Sequence, residues 1–138
     1  MTSRIAIRTL AGGLLAALAI AGPAQASGGI TPLSPKSGAT IPVGQSPTFK
    51  MRVKGSGQVW VHVCKSKKKD SKGVICIDES IGQAKRGKGG VFSYKPKFFD
   101  YDEFWLNNPG TYYWQAYRIA CVGSDCQQES AITKFEVG

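Results

Sequence analysis

Beyond residue 26, apolar and polar residues alternate along much of the chain, and no helical periodicity lasts longer than two turns. In TFKMRVKG, Phe49, Met51 and Val53 fall on one face and Lys50, Arg52 and Lys54 on the other. QVWVHVC repeats the pattern, with Val59, Val61 and Val63 set against Trp60, His62 and Cys64. GVICIDESI, GVFSYKPKF, GTYYWQAYRIAC and SAITKFEVG are further short segments rich in β-branched and aromatic residues, separated by Gly, Pro, Ser and Asp. The opening ITPLSPKSGATIPVG reads as an edge segment, because its prolines cannot donate every ladder hydrogen bond. The pattern predicts an all-β domain of seven short strands in two packed antiparallel sheets.

The first 26 residues have a different character. Arg4 and Arg8 precede the apolar run Leu10 to Ala21, Gly22-Pro23 breaks it, and Ala24-Gln25-Ala26 supplies small-x-small residues. That order is expected of a signal peptide cleaved after Ala26, and the run is short for a membrane span. No twin-arginine pair is present and no cysteine adjoins the cleavage point, so neither Tat export nor lipidation is suggested. Residues 27–138 are then expected to be one domain, secreted to the extracellular space or periplasm, with no later transmembrane segment. The chain carries 18 Lys and Arg against 9 Asp and Glu, and loss of Arg4 and Arg8 leaves a net +7. Such an excess draws a protein toward wall polymers, lipid surfaces, acidic glycans or nucleic acid, and equally keeps it soluble.

All four cysteines, Cys64, Cys76, Cys121 and Cys126, follow the leader. An even number in a small exported domain reads as two disulfides. Zinc sites favour close C-x-x-C pairs, whereas the gaps here are eleven and four residues.

LSPKSGATIPVGQSPTFKMRV (33–53) and PGTYYWQAYRI (109–119) resemble the opening and penultimate strands of bacterial fibronectin type III-like, immunoglobulin-like modules. The resemblance implies a seven-stranded immunoglobulin-like β-sandwich in which Tyr112 is the corner tyrosine and Trp114 a core residue. The chain departs from it in having Met51 where tryptophan is common, and in its cysteines. Strands placed in that topology put Cys64 and Cys121 at opposite poles. The resemblance therefore implies the pairs Cys64–Cys76 and Cys121–Cys126, each closing one hairpin. It leaves no immunoglobulin-type bridge, since the second strand has no cysteine. The cysteine spacing and order are also similar to the neocarzinostatin-type chromophore-binding apoproteins, which would imply a small-molecule carrier, or an inhibitor, using a loop cleft.

Catalysis finds little support. His62 lies mid-strand without a nucleophile motif, on the polar parity expected of a surface residue, and no GxSxG, HExxH or phosphate loop occurs. No cofactor is expected. DSKG (70–73) resembles part of a calcium loop, but Lys72 stands where a second acid is needed, so a turn with Gly73 at positive φ is expected instead. In DYDEFW, Asp100, Asp102 and Glu103 could chelate calcium. The favoured reading has Asp100 capping a helical turn whose Phe104, Trp105 and Leu106 plug the base of the sandwich.

Binding is the expected role. Trp60, His62, Tyr113, Gln115, Tyr117 and Ile119 share an outward parity and form a candidate interaction face. CKSKKKDSKGVIC (64–76) gathers Lys65, Lys67, Lys68, Lys69 and Lys72 around the single acid Asp70, and reads as a stapled hairpin tip in solvent. A second basic cluster, Lys85, Arg86 and Lys88, is expected at the opposite pole, which disfavours a nucleic-acid groove. The expected partner is a protein, a glycan or an anionic wall polymer, engaged by a monomeric, non-catalytic module of the cell surface or extracellular space.

Overall fold

The computed structural model describes residues 29–76, 80–97, 107–119 and 127–138. The leader, the Cys121–Cys126 segment and the acidic stretch 98–106 lie outside the described residues. Nine strand segments occur among them: β1 Ile30–Ser34, β2 Ala39–Ile41, β3 Phe49–Val53, β4 Gln58–Cys64, β5 Ser80–Arg86, β6 Val91–Tyr94, β7 Gly110–Ile119, β8 Gln127–Glu129 and β9 Thr133–Val137. They hydrogen-bond in the order β1-β3-β6-β5-β4-β7-β9-β2, with β8 also on β7. β5 pairs with both β6 and β4, so the two halves form one curled sheet.

The count exceeds seven because one expected strand is divided and one short segment is additional. The opening segment leaves its antiparallel partner β3 at a cis Ser34–Pro35 bond and continues as β2, which runs parallel to β9. The sheet is therefore not wholly antiparallel. The last expected strand, SAITKFEVG, is shortened to β9, and β8 is an additional short segment that precedes it and pairs with β7. The fourth expected strand is displaced. Val74 and Ile75 of GVICIDESI lie outside any strand, and β5 runs instead through Ala84, Lys85 and Arg86.

Alternation on β3, β4 and β7 builds the core. Phe49, Met51, Val53, Val59, Val61, Val63, Tyr112, Trp114 and Ala116 pack with Ile30, Phe92, Phe135 and Val137. Phe49 joins the two halves, its ring edge-on to Trp114 at 5.3 Å and to Phe135 at 6.1 Å. Edge-on aromatic contacts of this kind add to area burial. Trp114 Nε1 donates to the Pro35 carbonyl at 3.1 Å, which fixes the crossing between β1 and β2. Tyr112 is buried and donates its hydroxyl to the Asn108 carbonyl at 3.0 Å, as the corner role implies. The Tyr94 ring lies over Gly82, where a Cβ would collide with it unless the ring moved.

Candidate functional site

The run Lys65–Ile75 is not a hairpin tip standing in solvent. Cys64 ends β4 on the outward parity and is joined to Cys76, with Cα atoms 6.3 Å apart. Between them the chain folds back as a strap across the outer face of β4 and β7. Asp70 makes its turn: Oδ1 accepts the amides of Lys72 and Val74, both at 2.9 Å, and the Asp70 amide donates to Val74 O at 2.8 Å. Gly73 has φ 82°, as expected of the turn, and a Cβ there would come 3.0 Å from Glu129 Oε1. A bridge between Lys69 and Ile75 completes the turn.

Gln115 is the anchor. Its Oε1 accepts the Ile75 amide at 2.9 Å, and its Nε2 donates to Gly73 O and Ser130 O, each at 3.1 Å. The side chain is 0% exposed, although its parity is outward. Ser130 ties the other border, accepting the Ala116 amide on Oγ at 2.9 Å while its own amide donates to Ala116 O at 2.8 Å. Val74 and Ile75, on the inner side of the strap, are buried. The β-branched pair that suggested a strand therefore fills the space against the sheet.

His62 is the second buried group on this face, 3% exposed rather than on the surface. Its Nδ1–H donates to the Cys76 carbonyl at 3.3 Å, and its ring meets Tyr117 edge-on at 6.0 Å. Burial pushes the imidazole pKa below 6.5, and the Cys76 carbonyl and the Asp70 charge oppose that only in part. Trp60 and Tyr117 are directly opposed on β4 and β7, half-buried at the border of the strap. Tyr113 is opposite Cys64 at the end of the pair and is also half-buried. The expected aromatic face is thus covered at His62 and Gln115 and open only along its margin.

On the strap, Lys65, Lys67, Lys68, Lys69 and Lys72 are exposed, while the carboxylate of Asp70 is turned into the backbone. Lys65 Nζ lies 6.0 Å from the Tyr112 ring centroid, over the end of the sandwich. The other four project from a backbone held at both ends and in the middle.

Arg118 escaped the sequence reading. It follows Tyr112, Trp114 and Ala116 on the inward parity and is 5% exposed. Its guanidinium donates to Lys54 O, to Ser56 O at 3.4 Å and to Gln128 Oε1, closing the pole beside the β3–β4 turn. A charged residue on core parity at a strand end was the available signal. No group of three or more His, Cys, Asp or Glu residues is placed to hold a metal ion among the described residues. None of their helices is long and apolar enough to cross a membrane.

No family model and no curated protein matches the chain. Among solved structures it is similar to the fibronectin(III)-like modules of Clostridium thermocellum CbhA, at 17% identity and a TM-score of 0.47. That similarity covers 79% of this chain and 45% of the matched one, so the chain spans less than half of that structure's length.

Proposed function

We propose that this chain is an exported, non-catalytic binding module of the cell surface or extracellular space, and that the strap presents its lysines to an anionic polymer. Residues 1–26 are the leader, and 27–138 form one domain that works as a monomer. The reading is carried by the pinned backbone of residues 64–76. A flexible lysine loop loses conformational entropy when it binds, whereas one already fixed by Cys64–Cys76 and Gln115 loses less. Trp60, Tyr113 and Tyr117 supply half-exposed rings beside the strap, suited to stacking against a sugar or a partner side chain.

Two measurements test this reading. Protein recovered from the culture medium is expected to begin at Ser27; a retained leader overturns export. On a dextran sulfate column, the K67Q/K68Q/K69Q variant is expected to elute at clearly lower salt than the unaltered protein. Equal elution removes the strap from the binding surface.

A further inference from the structure

The curled sheet has a second outer face, formed by β3, β6 and β5, and no strap crosses it among the described residues. Strand register assembles a row there that linear order hides. Lys50 pairs with Ser93, and Ser93 pairs with Lys85, so two lysines flank one hydroxyl across three adjacent strands. Neighbouring strands lie about 4.8 Å apart, which puts the two lysine Cα atoms about 10 Å from each other. Arg52 stands two residues along β3 from Lys50, about 7 Å away on the same face. All three cations are exposed. The row continues onto β1, where Ser34 pairs with Lys50 and Thr31 with Arg52.

The charge on this face is uncompensated among the described residues. Their carboxylates are Asp70, Glu129 and Glu136, all on the strap, β8 or β9 at the other half of the sandwich. Glu136 is further engaged by Thr111 and Lys134. An open row of cations with no internal acid attracts a polyanion. Proteins that hold single-stranded nucleic acid add aromatic platforms for the bases. Here the outward positions beside the cations are Ser93, Val91 and Gln83, with hydroxyls on β1, and among the described residues one ring, Trp60 of β4 opposite Gln83, borders the row rather than a series of base platforms. Hydroxyl and amide groups between cations suit a hydroxyl-rich chain carrying carboxylates at intervals, which accept from lysine and, in bidentate fashion, from arginine.

We infer that the outer face of β3, β6 and β5 is a second binding surface, and that it takes an acidic polysaccharide through Lys50, Arg52 and Lys85. The inference rests on the reading of the chain as a binding module but uses residues remote from the strap.

The test measures affinity of the residue 27–138 protein for polygalacturonate at about 50 mM salt, beside the K50Q/R52Q/K85Q and K67Q/K68Q/K69Q variants, with oligo(dT) as a second probe. Loss of three cations from the contact is expected to weaken polygalacturonate binding at least tenfold or so, with most of the remaining affinity lost by about 300 mM salt. Thermal melting of the variant is expected to stay within about 2 °C, since exposed strand positions tolerate a polar exchange. Unaltered affinity in K50Q/R52Q/K85Q, with the strap variant weakened, overturns this inference and spares the proposed function. Failure of the unaltered protein to bind either polyanion overturns both. Tighter binding to oligo(dT) than to polygalacturonate, lost in K50Q/R52Q/K85Q, reassigns the face to nucleic acid and overturns the polysaccharide.

Discussion

Outside β4 and β7, His62 and Gln115 are sealed beneath Gly73–Cys76, and every polar atom named there has a protein partner. Outside β3, β6 and β5, Lys50, Arg52 and Lys85 stand in solvent. Both faces are polar in sequence and both belong to one continuous sheet. The first uses polar side chains as structural anchors, where a lost partner leaves a buried group unsatisfied. The second exposes them as surface, where a lost side chain costs little stability. Identical parity thus carries opposite consequences, decided by whether another segment docks above.

Breaking the clamp gives the largest expected effect. A Cys64→Ser/Cys76→Ser variant releases a loop of about thirteen residues, and loop-closure entropy gives a stability loss of about 3 kcal/mol in urea denaturation. A loss below about 1 kcal/mol shows that docking, not the disulfide, holds the strap.

Cutting the anchor comes next. Gln115→Leu keeps the volume but leaves the Ile75 amide and the Gly73 and Ser130 carbonyls without their partner, a cost of roughly 2–3 kcal/mol. Lys50→Leu or Lys85→Leu on the open face is expected to move stability by less than about 0.5 kcal/mol. Similar losses at both sites erase the distinction between the faces.

The smallest effect is in pH. His62 has its pKa lowered below 6.5 in the folded protein, so the unfolded chain takes the proton first as pH falls. The contribution of neutral His62 is intact above about pH 6.5 and declines as pH drops below that toward the folded value. His62→Gln still donates to Cys76 O but does not titrate. Its stability is expected to fall less than that of the unaltered protein between about pH 6.5 and 5, followed by chemical denaturation. Parallel curves place His62 in solvent.

Much of the architecture is legible in the amino-acid sequence. Alternation located β3, β4, β7 and β9 and their core residues, because a period of two is a local property of the chain. The corner role of Tyr112, the core place of Trp114 and the Cys64–Cys76 pair were implied by the resemblance to fibronectin type III-like modules rather than by alternation. Parity, however, says which face a side chain takes and nothing about what covers it. The Gln115 bonds to Gly73 and Ile75 join positions 42 and 40 residues apart, beyond any local pattern. Val74 and Ile75 read as strand because a β-branched pair buried by docking looks like one buried in a sheet. The Lys50–Ser93–Lys85 row was hidden for a similar reason, since it exists only in the register of three strands.

Docking of the strap is reported directly by the Ile75 amide, through its bond to Gln115. Native-state hydrogen exchange should find it protected as strongly as the amides of β4 and β7, released only on global unfolding or with the Gln115→Leu change. Exchange of Ile75 at the rate of an open loop, while β4 and β7 remain protected, contradicts the docked strap and returns residues 64–76 to a solvated hairpin.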